Sequence, residues 1–543
     1  MKILWLDLNS SYAHSSLALP ALHAQMATND SFEWEIVSAT INENVGMVTN
    51  SIYHHHPDII AATNWLFNHE QLLHILSRAK ALLPYCRIAL GGPEFLGDNE
   101  DFLRKNPFVD CVFRGEGEEV FPQWLQYQNQ PEQWDTVTGL CYLDKKNLYH
   151  DNGIARVMNF VHLIPPEKSS FFNWSKPFVQ LETTRGCFNT CAFCVSGGEK
   201  PVPMETIRER LMEIHRHGIK NVRVLDRTFN YNNKRAKELL NLFLEFSPDI
   251  CFHLEIHPAL LSEELKKELA GLPKGLLHLE AGIQSLREPV LEQSRRMGRL
   301  SDALDGLKYL CSLHNMETHA DLIAGLPLYH LSEIFEDIHT LAEYGAGEIQ
   351  LESLKLLPGT EMRRRAEELG IQYAPLPPYE VLQTREISVD ELQTARVLSR
   401  LLDGFYNTPT WQNITRTLML ENEHFLHHFL DHLMQIGLID QPLSLEKRGL
   451  ILYEFCKQNY PAYQTQVSIA WIEAGMSLKK LPAEKVKTKR QIPPETWITI
   501  YGKYKETLRL CFLPANQEGQ AGYWFGFESE IQKAEPVFKA LTM

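Results

Sequence analysis

Arg185-Gly186-Cys187-Phe188-Asn189-Thr190-Cys191-Ala192-Phe193-Cys194 forms a C-x-x-x-C-x-x-C array directly after a strand-like run at 178–183. Three thiolates on so short a loop wrap three corners of an iron-sulfur cubane, because sulfur ligands suit Fe-S clusters and zinc. The fourth iron is then open, and an open metal position binds and polarises a substrate. A structural zinc site needs a fourth ligand, and no nearby cysteine or second C-x-x-C supplies one. Cys187, Cys191 and Cys194 are therefore the expected metal ligands and the catalytic centre.

Working outward, strand-like runs at 178–183, 222–225, 252–256, 276–279, 320–324 and 349–354 are each followed by a helical pattern. The first such helix places Ile207, Leu211 and Ile214 on one face. Six strand-helix units predict a parallel barrel, closed or three-quarters open, with its site at the strand carboxyl ends. No sequence repeat underlies it; only the pattern recurs.

Upstream, residues 1 to about 120 alternate apolar runs at 3–7, 35–38, 59–63, 88–90 and 111–113 with amphipathic stretches, the signature of a doubly wound parallel α/β sheet. Two runs end in Gly91-Gly92-Pro93 and Arg114-Gly115-Glu116-Gly117. In an open α/β sheet such turns lie where ligands bind, although plain turn chemistry explains them equally well. A helix, a hairpin around Asp144-Lys145-Lys146-Asn147 and a linker with Pro165-Pro166 follow. Beyond about 372 the strands stop. Ser388 and Glu391 have capping-box spacing ahead of Leu392, Ala395, Leu398, Leu402 and Phe405, which predicts a helix. Helical segments continue to about 475, and the tail holds a strand-like Trp497-Ile498-Thr499-Ile500-Tyr501. The expected domains are 1–145 (α/β), 146–175 (linker), 176–371 (barrel) and 372–543 (mainly helical, without a readable motif).

At 543 residues the chain exceeds one hydrophobic core. With 44% hydrophobic and 22% charged residues and no apolar run long enough for a bilayer, it reads as a soluble globular protein. The opening MKILWLDLNSS meets Asp7 before a signal-like apolar region forms and reads as a first strand, so a cytoplasmic location is expected. A net charge of −15 argues against a nucleic-acid partner. The densest basic run, Lys479, Lys480, Lys485, Lys487, Lys489 and Arg490, reads as a solvated lysine segment. Seven of the ten cysteines are scattered singly, which is no disulfide framework and fits a reducing cytosol.

With Phe193 in the aromatic slot, the array resembles the C-x-x-x-C-x-aromatic-C motif that defines the radical S-adenosylmethionine superfamily. The resemblance implies a [4Fe-4S] cluster whose open iron chelates the amino and carboxylate groups of S-adenosylmethionine. One electron, from a donor such as flavodoxin or ferredoxin, then yields methionine and a 5′-deoxyadenosyl radical that removes hydrogen from a substrate. Glu255 in FHLEIHP resembles the family's third-strand acidic residue near the cosubstrate. Gln284 in GIQSL and Arg296 resemble a ribose-contacting amide and a carboxylate-binding arginine, and Asp321 in DLIAGLP the fifth-strand acidic residue of a subgroup that includes oxygen-independent porphyrinogen dehydrogenases. Carboxylate suits a hydroxyl or ammonium, and guanidinium a carboxylate. The structural alternative is a charged residue that caps a helix or pairs with a neighbour. Ser196-Gly197-Gly198 lets the backbone approach the cluster, or is a plain loop.

The passage GGPEFLGDNEDFLRKNPFVDCVFRGEGEE, residues 91–119, resembles the cobalamin-binding domain of cobalamin-dependent radical enzymes. The resemblance implies a corrin ring over the strand ends, facing the cluster, with Gly91, Gly92, Gly115 and Glu116 at the cofactor. The D-x-H-x-x-G motif that supplies a cobalt-ligating histidine elsewhere is absent. His14, in Tyr12-Ala13-His14-Ser15-Ser16-Leu17, lacks the acidic partner and glycine and reads as a surface or capping residue. Cobalamin without a histidine ligand occurs in radical enzymes, and a domain that has lost the cofactor stays open. The carboxyl-terminal region resembles an uncharacterised extension found in one branch of these proteins.

The expected activity is cobalamin-dependent methyl transfer to an unactivated carbon or similarly inert atom. The alternatives are rearrangement, oxidation or sulfur insertion with cobalamin structural or absent. Sulfur insertion is disfavoured by the lack of a second three-cysteine cluster and of a compact basic tRNA-binding domain. A different class would be a non-catalytic redox or light sensor. The substrate is not legible.

Overall fold

The computed structural model describes residues 1–14, 16–26, 31–438, 441–483, 487–491, 508–514, 522–528 and 533–541. Its amino-terminal sheet has seven strands: β1 (Lys2–Asn9), β2 (Glu33–Thr40), β3 (Ile59–Thr63), β4 (Arg87–Gly91), β5 (Cys111–Phe113), β6 (Leu140–Leu143) and β7 (Tyr149–Asp151). Their order is β2-β1-β3-β4-β5-β6-β7. The first five run parallel, and β6 and β7 join antiparallel. A parallel sheet covered on both faces needs apolar residues on both. Leu4, Leu6 and Leu8 of β1 accordingly pack with Ile60 and Ile88 on one side. Ile3 and Trp5 pack with Ile59, Ala61 and Ala89 on the other. Because β2 and β3 flank β1, the strand order reverses there, and the crevice beyond the carboxyl ends is where such sheets bind ligands.

The hairpin expected around Asp144 is present, but its second strand pairs Tyr149, His150 and Asp151 with Leu143, Tyr142 and Cys141. The sheet therefore runs past the boundary expected at residue 145, and residues 146–151 are not linker.

Five barrel strands follow: Val179–Leu181, Asn221–Val224, Cys251–Ile256, Leu277–Gln284 and Glu317–Ala324. They pair parallel in chain order. The sixth expected strand is Glu348–Ser353, after the helix Leu331–Tyr344. On helix Met204–Arg216 the predicted stripe of Ile207, Leu211 and Ile214 is fully buried. Side chains alternate across each strand. Phe252, Leu254 and Ile256 are buried on one face of the third strand, whereas His253 and Glu255 share the other. The same polar face continues through His278 and Glu280 to His319 and Asp321.

The chain divides into two compact units, not along the three expected boundaries: Met1–His330 with Ser353–Leu392, and Leu331–Glu352 with Gln393–Met543. In the first unit the segment after the barrel packs on the amino-terminal sheet's β4 turn. The Tyr379 hydroxyl donates to the Glu94 carboxylate at 2.6 Å, and Gly359 lies against the Leu96 backbone.

The predicted capping box is made, with Ser388 N–H on Glu391 Oε2 at 2.8 Å and Glu391 N–H on Ser388 Oγ at 3.4 Å. The second unit packs helices Pro409–Glu421, Phe425–Gln435, Leu445–Asn459 and Gln464–Glu473, which bury Trp411, Phe425, Phe429, Phe455 and Trp471. It also carries a four-stranded antiparallel sheet, Lys487–Gln491, Leu508–Leu513, Tyr523–Phe527 and Phe538–Leu541. Trp497 to Tyr501 and Lys485 lie outside the described residues. Among the described residues no helix is long and apolar enough to cross a membrane.

Candidate active site

The cysteine loop leaves the first barrel strand at Leu181 and is pinned at once by Asp226, which follows the second strand. Asp226 Oδ1 accepts the N–H groups of Thr183 and Thr184 at 2.8 Å each, and Oδ2 accepts the Thr183 hydroxyl at 2.5 Å. Burial pushes the Asp226 carboxyl above its ordinary range, and these three donors oppose that shift. Further along, Ala192 N–H donates to the Ser294 carbonyl at 2.9 Å and Met362 N–H to the Ala192 carbonyl at 2.8 Å.

Cys187 and Cys191 are buried and Cys194 is partly exposed. Thr228 Oγ1 lies 3.5 Å from Cys187 Sγ, Ser196 N–H donates to Cys194 Sγ at 3.4 Å, and Arg296 Nη1 stands 3.9 Å from Cys191 Sγ. Burial raises the Cys191 thiol, and the Arg296 charge pulls it back toward thiolate. Phe193, between Cys191 and Cys194 in sequence, is half-buried. Three thiols on one short loop, with the Arg296 cation near Cys191 Sγ and the Ser196 N–H on Cys194 Sγ, are a donor set whose chemistry fits a three-thiolate cluster.

Gln284 and Arg296 converge beside Cys191. Gln284 ends the fourth strand after a register shift, with φ 71°, a left-handed conformation that a non-glycine residue holds at a cost. Its amide folds over Gly282, where an added Cβ would lie 2.6 Å from Gln284 Nε2 and 3.5 Å from Arg296 Nη2. Arg296 also donates to the Gly282 carbonyl. Glu255 lies one strand away, paired in register with Glu280, and Arg227 Nη1 approaches its Oε1 at 3.3 Å. Burial raises the Glu255 carboxyl while Arg227 lowers it. Asp321, opposite Gly282, shares a hydrogen bond with Glu280, the neighbour-paired role that was its structural alternative.

Between the carboxyl ends of the amino-terminal strands and the cysteine loop lies a cavity of about 460 Å³. Ala61, Ala62, Ala89 and Gly91 line it on the sheet side, and Gly186, Val195 and Gly197 on the loop side. The expected glycines divide by role. An added Cβ at Gly92 (φ +116°) would lie 2.6 Å from the Asn64 carbonyl oxygen, and at Gly115 (φ +108°) 2.2 Å from that of Ala155. Both let backbones approach each other. At Gly91 a Cβ would meet only Phe113 Cβ, at 4.0 Å, so this glycine keeps the floor open. The small-residue floor suits one face of a flat ring of the corrin kind.

Glu116 lines the cavity, but its carboxylate is engaged by Val157 N–H at 2.5 Å and Arg185 Nη1 at 3.4 Å. Arg185 also meets Glu118 and Glu182 at 2.8 Å each and lies over the Phe160 ring at 4.9 Å. This cluster ties the β5 turn to the start of the cysteine loop. His14 is exposed, bonded to Ser11 Oγ at 2.8 Å, and is not among the lining residues.

Sequence reasoning missed Asp226, Arg227, Thr228 and the three-carboxylate setting of Arg185. The available signals were a charged pair, Asp226-Arg227, directly after a predicted strand, and the arginine that opens the quoted loop.

Comparison with known proteins matches three stretches of the chain. Residues 7–125 match the B12 binding domain, residues 181–341 the Radical SAM superfamily, and residues 367–538 a protein family of unknown function, DUF4080. The chain is 26% identical over 249 residues to an uncharacterized methyltransferase, PH0819, of Pyrococcus horikoshii, covering 44% of this chain and 53% of that protein. It is 22% identical over 351 residues to the cobalamin-dependent radical SAM methyltransferase TokK of Streptomyces tokunonensis, covering 60% of this chain and 51% of that protein. The matches thus span about half the length of these curated relatives. In fold it resembles the radical S-adenosylmethionine methyltransferase TsrM of Kitasatospora setae, solved with cobalamin and a [4Fe-4S] cluster, with TM-score 0.55 and 14% identity over 70% of this chain and 78% of that one.

Proposed function

We propose that the chain, which matches the B12 binding domain over residues 7–125 and the Radical SAM superfamily over residues 181–341, methylates an unactivated carbon, or a similarly inert atom, of its substrate. The observation that carries this reading is the cavity whose open alanine and glycine floor faces the cysteine loop. A methyl carrier on that floor and a radical source on the opposite wall would address one substrate from two sides.

When bound, the cluster supplies the electron that splits S-adenosylmethionine into methionine and a 5′-deoxyadenosyl radical, and cobalamin supplies the methyl group. The chain's own residues position these reactants. Cys187, Cys191 and Cys194 would hold three irons, and Asp226 fixes the loop that carries these cysteines. Arg296, beside Cys191, would take the cosubstrate carboxylate, and its fork suits two-point recognition. Gln284 offers an amide to a ribose hydroxyl, and Glu255 a carboxylate to hydroxyl or ammonium. Trp5, Leu22, Phe113 and Phe121 line the cavity with apolar surface that excludes water from the reacting atoms. A low-potential flavodoxin or ferredoxin in the cytoplasm would deliver the electron.

The test supplies cobalamin during expression, purifies the protein anaerobically and incubates it with methyl-labelled S-adenosylmethionine, a reductant and extract of its own cells. The reading expects base-off cobalamin, unchanged by His14→Ala, and label in one extract component. Each methyl transferred should accompany one deoxyadenosine and one S-adenosylhomocysteine. Protein that holds no cobalt yet makes deoxyadenosine would overturn the methyltransferase reading. Deoxyadenosine without S-adenosylhomocysteine would favour rearrangement or oxidation.

A further inference from the structure

Away from the cysteine loop, the polar face of the barrel sheet gathers a second set of metal-binding side chains. Glu317 opens the fifth barrel strand, so this cluster lies at the strands' amino-terminal end, whereas the cysteines lie at the carboxyl end. Positions 317 and 319 are two apart and share a face by the strand's period. Glu317 pairs in register with His278 of the fourth strand. Two adjacent strands therefore bring three side chains together. His278 Nε2 and His319 Nε2 are 2.6 Å apart, and His278 Nδ1 is 3.8 Å from Glu317 Oε2. One donor atom from each residue lies within 4.8 Å of the others.

The surroundings hold this arrangement. The His253 ring stacks on His278, with centroids 4.8 Å apart and planes 23° from parallel. Glu280, in register with His319, fixes His253 through a 2.9 Å contact with Nε2. His319 is buried and Glu317 exposed, so the set is open to solvent from one side.

We propose that His278, His319 and Glu317 bind a divalent transition-metal ion of the zinc type. Two imidazoles and one carboxylate are a ligand set that zinc accepts, and three protein ligands leave a position for water or a substrate group. A metal-to-ligand distance near 2.0–2.2 Å requires the imidazole nitrogens to separate slightly and Glu317 to close in, a movement its exposed side chain permits. The ion would fasten the fourth strand, which carries Gln284, to the fifth. The proposal is independent of the methyltransferase reading.

The test uses the full chain with its iron-sulfur cluster reconstituted, so that the cysteines are occupied. The protein is titrated with Zn²⁺, desalted, and assayed for zinc and iron by elemental analysis. The expected result is about one zinc per chain with iron unchanged, and loss of that zinc in both His278→Ala and His319→Ala. Glu317→Gln should weaken zinc binding at least about tenfold, the smallest cost seen for partners one shell further out. Wild-type protein that retains no zinc would overturn the proposal, as would equal zinc in wild type and both histidine variants. If either histidine variant also loses iron and so has misfolded, the exposed Glu317→Gln decides alone: unchanged zinc affinity refutes the site.

Discussion

Asp226 collects two backbone N–H groups and a hydroxyl from Thr183 and Thr184, just ahead of the loop that carries the three cysteines. Removing one partner leaves buried donors unsatisfied, at about 1–3 kcal/mol each. Asp226→Ala should therefore lower the iron retained after reconstitution while the far-ultraviolet circular dichroism stays near wild type, and Asp226→Asn, which keeps an acceptor oxygen, should fall between. Full iron in Asp226→Ala would remove it as a positioning residue. Glu255→Ala and Gln284→Ala should keep their iron and bind S-adenosylmethionine about ten- to a hundredfold more weakly, the worth of a charge-assisted hydrogen bond. Unchanged affinity in either variant takes that residue out of the site. The cysteines were legible because sulfur at that spacing has few other uses. The left-handed turn at Gln284 was not, because a bulge depends on how the neighbouring strand registers, and a glutamine carries no mark of it.

Among elements, the turn after β4 shows what local pattern can and cannot convey. Its glycines marked a strand end, but Glu94 beside them is bonded to Tyr379, 285 positions away in sequence. Burial raises the Glu94 carboxyl above its ordinary 4.5, and the Tyr379 hydroxyl and Arg363 charge oppose the shift. A carboxyl whose folded value lies above its unfolded one adds stability fully below the unfolded value, and that stability is lost as pH rises through the folded value. Glu94→Gln cannot ionise and still accepts the Tyr379 hydroxyl. Its denaturant midpoint, relative to wild type, should thus rise as pH climbs above 4.5 and through the raised folded value of Glu94. A pH-independent difference, or one of opposite sign, would contradict this account. All eleven strands read from the two alternating regions are present, because period-two and 3.6-residue patterns are local. The boundary expected at 145 falls inside the β6–β7 hairpin, whose second strand joins the sheet by pairing with β6.

At the scale of the molecule, the fold class was legible from the succession of strand-helix units, whereas the division into units was not. Residues 353–392 follow the barrel in sequence but belong with the amino-terminal sheet and the first five barrel strands. The cavity is likewise a product of tertiary structure, since its walls come from stretches around 61–65, 89–118 and 182–197 that no sequence window joins. Its central implication is that the cysteine loop generates the radical used on whatever that cavity admits. The most direct test is anaerobic incubation of the reconstituted chain with S-adenosylmethionine and a low-potential reductant, followed by measurement of deoxyadenosine and iron. Wild type should hold about four irons and accumulate deoxyadenosine, and the variant combining Cys187→Ala, Cys191→Ala and Cys194→Ala should do neither. A triple variant that keeps its iron, or iron-replete wild type that releases no deoxyadenosine, would contradict the account.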